Sequence, residues 1–325
     1  MSSPRERADA PTIPLDAPFL RVIGIDAAEP IPSGVRLRLA HRPDNANRNG
    51  TLHGGVIASL VETAGSLALE REASAEGRAP AGPASRAAEE VATTGARAAD
   101  PTRSPWLRPA AVDLSIHFVA PAVERDVVAE ARTVRRGRAV GFAEVSVSDP
   151  SGAPIARGLL AARAVGDSDR AEPSTSADGE GLPASHREAL SRLSFSRFSG
   201  SAFSARLQVR SARIPGAGVV ALLPWQEILA DEAGQVHAGA IATAVDAAGG
   251  ASAWTAGGFD PRGRASTIAM HLTVARAPAG ADLVAIAQPP WRTGDLFSIA
   301  VEVATREHAL PVAWGSVVYR VVRPK

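Results

Sequence analysis

Two apolar runs of the chain each contain a single carboxylate, and the two runs resemble each other. HGGVIASLVETAGS starts at His53 and HAGAIATAVDAAGG starts at His237, and seven of their fourteen aligned positions are identical. In both runs an acidic residue follows the histidine by nine positions, as Glu62 and as Asp246. Because apolar residues lie on most sides of each run, the pattern predicts two buried α-helices. The repetition predicts two domains of similar structure.

Each predicted helix is followed by four strand-like runs in a similar order. The runs of the first half are AVDLSIHFVAP, DVVAEARTVRR, AVGFAEVSVSD and PIARGLLAARAV, and those of the second half are STIAMHLTVARAP, DLVAIAQPP, LFSIAVEVAT and PVAWGSVVYRVV. Their partly alternating apolar residues predict antiparallel strands. A sheet that curls around one apolar helix buries the helix on all sides. The predicted fold class is therefore α+β, with a central helix wrapped by an antiparallel β-sheet in each domain.

Low-complexity segments set the predicted domain boundaries. GDSDRAEPSTSADGEGLPAS has the Pro, Gly, Ser and acidic content of a linker. We place a disordered N-terminus at 1–14, domain 1 at 15–165 with a low-complexity insertion at 72–105, a linker at 166–190 and domain 2 at 191–325. The glycines and prolines of the insertion favour a mobile excursion or lid over a short helix at 87–91.

Composition excludes several classes of site. The chain has 325 residues, 45% of them hydrophobic, which is sufficient for two modest domains. Its 35 basic and 34 acidic residues give a net charge of +1, so the overall charge does not indicate binding to nucleic acid or to an acidic membrane surface. The sequence contains no cysteine, which excludes disulfides, thiolate metal sites and a cysteine nucleophile.

The sequence shows no pattern typical of targeting, membrane-spanning or cofactor-binding segments. The N-terminal residues lack the apolar core of a signal peptide, and no run approaches the roughly 18 apolar residues of a membrane span, so we expect a soluble, cytoplasmic protein. There is no HExxH or HxxxH motif and no phosphate-binding loop. We therefore predict neither a metal nor a bound cofactor.

The glycines that open the first predicted helix indicate an anion-binding position. The free N–H groups of a first helical turn, together with the positive end of the helix dipole, attract negative charge. Gly54 lets a carbonyl group approach the backbone closely, and Asn47 can add a side-chain amide donor. Gly54 and Glu62 are separated by about 12 Å along one helix, so a single helix does not present both to one atom. If the two helices pack antiparallel, each helix start meets the other acid, which gives two composite sites.

Three motifs carry a resemblance to a known family. N-x-x-G-T-L-H-G-G, VDLSIHFVAP and G-x-P-I-A-R-G resemble hotdog-fold thioesterases of the phenylacetic-acid-degradation type. The resemblance covers most of residues 15–165 strongly and residues 200–323 more weakly. It implies a tandem hotdog fold and hydrolysis of an acyl-CoA thioester, with coenzyme A as part of the substrate. It is also consistent with homo-oligomers of the tandem chain.

In that family, an Asn and the first helix Gly hold the thioester carbonyl, and an Asp of the partner helix activates water with help from a hydroxyl on the next strand. Carried over by position, one complete site is implied, formed by Asn47, His53, Gly54, Asp246 and Thr267. The family uses this histidine mainly to position the loop. A purely structural role, in which His53 and His237 satisfy backbone groups where the loop meets the helix, therefore explains them as well as a role in substrate binding.

The reciprocal site departs from the family pattern. Asp231 replaces the Asn, Ala238 replaces the first Gly, and Ala111 occupies the helper position beside Glu62. A carboxylate at Asp231 would repel a developing oxyanion, and the methyl group of Ala238 would crowd the approach. We predict one working site and one degenerate site, while Glu62 remains a candidate catalytic base.

Further candidates concern substrate binding. Gly55 and Gly239, the second positions of the two helix starts, are predicted to contact substrate with the two histidines. Arg136 and Arg138 are candidates for the phosphates of coenzyme A, with a solvated hairpin turn as the alternative.

Small residues near the two sites suggest room for a medium or aromatic acyl group; they are Ala64, Gly65, Ala247 and Gly249. Two alternative functions are a non-catalytic acyl-CoA-binding or regulatory protein and a hotdog hydratase. The sequence lacks the Asp and His pattern of the hydratase.

Overall fold

The computed structural model describes residues 12–76, 109–165, 190, 193–197, 201–214, 218–258, 260 and 263–322. The first half contains β1 (Ile13–Pro14), α1 (Pro18–Ile23), β2 (Ala27–Ile31), β3 (Gly34–Leu39), α2 (Gly54–Glu76), β4 (Ala110–Phe118), β5 (Val127–Arg136), β6 (Val140–Ser148) and β7 (Pro154–Arg163). The second half contains β8 (Ser196–Arg197), α3 (Ala202–Arg206), β9 (Arg210–Ile214), β10 (Gly218–Leu223), α4 (Ala238–Gly257), β11 (Arg264–Val274), β12 (Leu283–Ala287), β13 (Trp291–Thr293), β14 (Leu296–Thr305) and β15 (Pro311–Val322). All eight strand-like runs predicted from the sequence form strands.

Each half wraps its strands around one long helix. Helix α2 packs on β3, β5, β6 and β7, and helix α4 packs on β10, β12, β14 and β15. Both helices are buried over most of their length, because small and branched apolar residues occupy most of their positions, and each has exposed residues only near its C-terminal end. This is the hotdog architecture in tandem, and the α+β prediction is confirmed. Within the described ranges no helix is both long enough and apolar enough to cross a membrane.

One antiparallel sheet runs through both halves. Its strand order is β1-β2-β3-β5-β6-β7-β4-β11-β15-β14-β12-β10-β9-β8, and β13 pairs with β14. The halves join where β4 pairs with β11 in a register that sets Leu114 opposite Leu272. Both leucines are buried, so the junction between the domains is continuous with the hydrophobic core.

The central helices cross antiparallel and in close contact. Gly55 lies on Thr243, and Gly239 lies on Ser59. A Cβ atom on Gly55 would lie 2.8 Å from the Thr243 Cα, and one on Gly239 would lie 2.7 Å from the Ser59 Cβ. Glycine is therefore required at both positions for the helices to approach each other.

The two halves are related by pseudo-twofold symmetry. Each short N-terminal helix crosses to the other half: the Phe19 N–H donates to the Ala230 carbonyl at 3.1 Å, and the Phe203 N–H donates to the Ala46 carbonyl at 3.4 Å. Strands β4 and β11 carry matching bulges, after Ala111 and after Thr267. The matching hydrogen bonds and bulges identify, for each residue of one half, the equivalent residue of the other half.

Three predicted boundaries are corrected. Ile13 and Pro14 pair with β2, so they belong to the sheet and not to a disordered N-terminus. Helix α2 continues to Glu76, so residues 72–76 are helical and not part of the insertion. Leu190 is buried against the outer side of β10 and β12, so it belongs to the second domain and not to the linker. The remaining parts of these segments, 1–11, 77–105 and 166–189, lie outside the described residues.

Candidate active site between the two domains

Asp246 of helix α4 lies against the first residue of helix α2. A Cβ atom on Gly54 would lie 2.7 Å from the Asp246 Oδ2 atom, so only glycine leaves room for the carboxylate. Asp246 is 6% exposed although it sits in an apolar helix. A buried carboxylate without compensating contacts destabilises the fold, so its neighbours are expected to include hydrogen-bond donors.

Thr267 orients this carboxylate. Its Oγ1 atom donates a hydrogen bond of 2.7 Å to Asp246 Oδ1. Thr267 directly precedes the bulge of β11, and a bulge changes the direction in which a strand side chain points. With Oδ1 held by the threonine, Oδ2 is the carboxylate atom that faces the start of helix α2.

His53 is a helix cap at the same position. Its Nδ1 atom accepts a hydrogen bond of 3.0 Å from the Gly55 N–H, and its Nε2 atom is 3.3 Å from Ser204 Oγ. Burial lowers the pKa of His53, so the imidazole is neutral and the 3.3 Å distance between Nδ1 and Asp246 Oδ2 is not an ion pair. Phe203 covers the ring, with 5.3 Å between the ring centroids. His53 therefore fixes the start of helix α2.

Asn47 holds the loop that leads into the helix. Its Oδ1 atom accepts from the Asn49 N–H at 2.8 Å and from the Thr51 N–H at 3.3 Å. Since the oxygen is used by this turn, the Nδ2 amide is the part of Asn47 that can donate to a ligand. Asn47 lines the cavity beside Asp246.

The cavity beside Asp246 has a volume of about 280 Å³. It is lined by Asn47, Arg48, Asn49, His53, Gly54, Ser196, Ser201, Ser211, Asp246, Ala247, Gly250, Ala251, Trp254, Ala265, Thr267 and Tyr319. Both domains contribute to it, and it brings together all five residues of the site that was carried over by position. Of the four small residues that suggested room for an acyl group, Ala247 lines this cavity, whereas Ala64, Gly65 and Gly249 do not.

Among the cavity residues that sequence reasoning did not name are three with large side chains, Arg48, Trp254 and Tyr319. The Arg48 guanidinium lies 4.9 Å from the centre of the Trp254 ring, and Tyr319 lies next to them on β15. Burial, followed by the charge of Asp246, raises the pKa of the Tyr319 phenol, so the hydroxyl keeps its proton. Two features of the sequence could have placed residues near this cavity. Arg48 directly follows Asn47, and Trp254 lies two helical turns beyond Asp246.

Glu62 occupies the counterpart of Asp246. Ser66 Oγ donates to its Oε1 at 3.1 Å, and Thr63 Oγ1 donates to its Oε2 at 3.4 Å. Burial raises the pKa of Glu62 to about 7, and burial lowers the pKa of His237 to about 4. The Nε2 atom of His237 is 3.7 Å from Glu62 Oε2, and its Nδ1 accepts from the Gly239 N–H at 3.0 Å, as in the first site.

The other residues of the reciprocal site differ from their counterparts. Asp231 makes the same turn as Asn47, because its Oδ1 accepts from the Ala233 N–H at 2.8 Å and the Gln235 N–H at 2.9 Å. Ala238 opens helix α4, and Ala111 precedes the bulge where Thr267 stands in the other half. Ala238 therefore lacks the space that Gly54 leaves at the helix start, and Ala111 lacks the hydroxyl of Thr267.

Four predicted substrate contacts lie elsewhere. Gly55 and Gly239 contact the opposite helix, and their N–H groups are bonded to the histidine caps. Arg136 is the last residue of β5, and Arg138 lies in the turn between β5 and β6. Neither arginine lines the cavity beside Asp246. In the described part of the chain, no three His, Asp or Glu side chains converge to hold a metal ion.

Comparisons with known proteins agree with this architecture. Residues 49–156 match the model of the thioesterase superfamily. A protein of Halobacterium salinarum named as an esterase is 30% identical over 139 residues, which cover 42% of this chain and 73% of that protein.

Two solved structures resemble the fold along nearly the whole chain. A Thermobifida fusca protein described as a thioesterase II superimposes with a TM-score of 0.58 at 18% identity, covering 96% of this chain and 100% of that one. The acyl-CoA thioesterase II TesB2 of Mycobacterium marinum gives a TM-score of 0.56 at 13% identity, covering 92% and 95%. The chain belongs to the thioesterase superfamily.

Proposed function

We propose that the protein hydrolyses an acyl-CoA thioester at the composite site that contains Asp246. The observation that carries the proposal is the contact between the Asp246 carboxylate and Gly54 at the start of helix α2. A carboxylate base beside the N–H group of Gly54, the first residue of the helix, is the arrangement that acyl transfer to water requires. Thr267 supports the proposal because its hydrogen bond holds the carboxylate in one orientation.

In this mechanism a water molecule binds between Asp246 Oδ2 and the thioester carbon. The carboxylate takes a proton from the water while the water oxygen bonds to that carbon. The Gly54 N–H and the Asn47 side-chain amide stabilise the oxyanion of the tetrahedral intermediate. The intermediate collapses with cleavage of the C–S bond, and the leaving thiolate takes the proton from Asp246.

Direct attack by the Asp246 carboxylate is the other route. It would expel the thiolate and form a mixed anhydride that water then cleaves. Rapid-quench kinetics separate the two routes, because accumulation of the anhydride gives a burst of thiol before the steady state. A general-base route gives no burst unless product release is slow.

A cationic side chain at the cavity supports coenzyme A as the carrier. Arg48 lines the cavity, whereas its counterpart in the reciprocal site is Glu232. An arginine attracts the phosphates of coenzyme A, and a glutamate repels them. Arg48 therefore takes the role that the sequence suggested for Arg136 and Arg138.

The differences between the sites support a single working site. A pKa of about 7 does not disqualify Glu62 as a base at neutral pH. The reciprocal site lacks the glycine and the hydroxyl, because Ala238 and Ala111 stand in their places. We propose that these two replacements, and not the identity of the acid, make that site inactive.

Release of free thiol from short, long and aromatic acyl-CoAs tests the proposed function. The chain contains no cysteine, so the protein itself adds no thiol to the signal. We expect wild-type turnover that Asp246→Asn abolishes and that the matched variant Glu62→Gln preserves. Loss of activity with Glu62→Gln alone would move the active site to the reciprocal site, where Glu62 faces the start of helix α4. Binding of acyl-CoA without any thiol release would favour the non-catalytic alternative.

A further inference from the structure

Two cavities lie along helix α4. The cavity beside Asp246 is bordered by Gly250 and Trp254 of this helix. A second cavity, of about 370 Å³, is lined by Gly257, Arg292, Gly294, Asp295, Phe297, Val321 and Val322. Gly250, Trp254 and Gly257 follow one another at helical spacing, so they share one face of α4. From Asp246 to Gly257 the helix rises by about 16 Å.

Tyr319 stands between the two cavities. On strand β15, Tyr319 contacts α4 at Gly250, whose Cβ position is 3.3 Å from the Tyr319 Oη atom. Two residues further along the same face of β15, Val321 contacts α4 at Gly257, in the second cavity. Tyr319 also pairs across the sheet with Phe297, which lines the second cavity.

Trp254 completes the separation. It lies beside Tyr319 in the lining of the first cavity. Two neighbouring aromatic side chains form a wall with few accessible rotamers. The first cavity is slightly smaller than the range of about 300–1,000 Å³ that is usual for ligand sites, so little space remains on the Asp246 side.

The fold itself does not require this wall. The counterpart of Tyr319 in the first half is Ala162, which is paired with Ala111 as Tyr319 is paired with Thr267. The counterpart of Trp254 is Glu70. The aromatic pair is therefore particular to the site that contains Asp246.

We propose that Tyr319 and Trp254 limit the length of the acyl group, so that the site selects short acyl chains. The inference rests on the proposed function, because the limit is measured from the thioester carbon held at Gly54. The chain of the substrate runs from Asp246 along Gly250 and stops at the tyrosine. Removal of the phenol ring joins the first cavity to the one at Gly257 and Phe297.

The test is a chain-length series of saturated acyl-CoAs assayed with wild type, Tyr319→Ala and Trp254→Ala. We expect kcat/KM of the wild type to fall steeply beyond a limiting length. In Tyr319→Ala the ratio of kcat/KM for long over short chains should rise at least tenfold. Trp314→Ala is the matched control, since Trp314 lies on the exposed outer face of the same strand and should leave the ratio unchanged.

Two further variants keep the test decisive. Tyr319→Phe retains the ring and should keep the wild-type length limit, whereas Tyr319→Leu serves as a smaller change if the alanine variant unfolds. An unchanged length profile in folded Tyr319→Ala or Tyr319→Leu, or an equal loss at every length, would overturn the proposal.

Failure of the proposed function would be recognised separately. If the wild type cleaves no thioester, calorimetric binding of the same intact acyl-CoAs still measures the length limit. A limit that Tyr319→Ala removes would support the wall without catalysis. Affinity that is independent of chain length in the wild type would reject it.

Discussion

Thr267 donates a hydrogen bond to Asp246, and Ala111, its counterpart at the matching bulge, has no hydroxyl to offer Glu62. A hydrogen bond to a charged group contributes about 1.5–3 kcal/mol. We expect Thr267→Val, which keeps the shape of the side chain, to lower kcat by about 10- to 100-fold with a smaller change in KM. Steady-state thiol release measures both constants.

The matched control for the threonine is Ala111→Thr, which adds a hydroxyl in the other half and should leave the rate unchanged. Full activity of Thr267→Val would show that the carboxylate needs no hydroxyl to act.

Gly54 is sensitive to the smallest side chain. Its Cβ position overlaps the Asp246 carboxylate at 2.7 Å, so Gly54→Ala displaces the base from the helix start. We expect a loss of at least ~100-fold in kcat/KM, comparable to removal of an oxyanion donor. Ala238→Gly is the control at the other helix start, and a similar loss there would contradict the assignment of the working site.

Substitution of Arg48 should affect acyl-CoA substrates more than acyl-pantetheine substrates. With Arg48→Ala we expect KM for acyl-CoA to rise by about tenfold, which corresponds to ~1.4 kcal/mol. KM for the matching acyl-pantetheine, which lacks the phosphates, should change little. The wild-type preference for acyl-CoA should weaken with added salt, because Arg48 is half-buried and salt still screens part of its attraction for the phosphates.

Arg138→Ala is the control for Arg48, since Arg138 is exposed and does not line the cavity. A larger effect of Arg138→Ala than of Arg48→Ala would restore the sequence-based assignment.

Glu62 should make the stability of the fold depend on pH. Burial raises its pKa to about 7, whereas the unfolded chain ionises near 4.5. Between these values the unfolded state loses a proton that the folded state keeps, so folding stability falls as pH rises from about 4.5 to 7. We expect Glu62→Gln to remove this loss, so that its stability relative to wild type is ~2 kcal/mol greater at pH 8 than at pH 5.

Urea unfolding at the two pH values provides this comparison. His237 acts in the opposite direction, because its lowered pKa reduces stability as pH falls from 6.5 towards 4. Since His237 is present in both proteins, the difference between wild type and Glu62→Gln isolates the carboxyl group. Parallel pH profiles would mean that Glu62 is ionised in the folded protein at neutral pH.

Alternation and spacing were sufficient to predict much of this molecule. The eight predicted strands come from partly alternating or continuous apolar runs. Asp246 was paired with Gly54 because Gly54 and Glu62 lie about 12 Å apart along one helix and cannot meet at one atom. Strand β9, with the sequence RSARI, has no comparable alternation and was missed. The short helices at Phe19 and Phe203 were missed because they are stabilised by the opposite half of the chain.

The roles of some residues depend on contacts between distant segments. Gly55 and Gly239 belong to a recognisable motif, but only the position of Thr243 and Ser59 shows that they serve helix packing. Tyr319 lies far from Asp246 in the chain and enters the cavity because β15 pairs with β11. No local pattern in the sequence reports that proximity.

The continuous sheet through β4 and β11 has an evolutionary consequence. When two identical chains form such a pair, every substitution at a helix start alters both sites at once. Here the two helix starts are encoded separately, so Ala238, Ala111 and Ala162 can differ from their counterparts Gly54, Thr267 and Tyr319 within one chain. Since each composite site takes residues from both halves, a tandem chain can alter one site completely and leave every residue of the other in place.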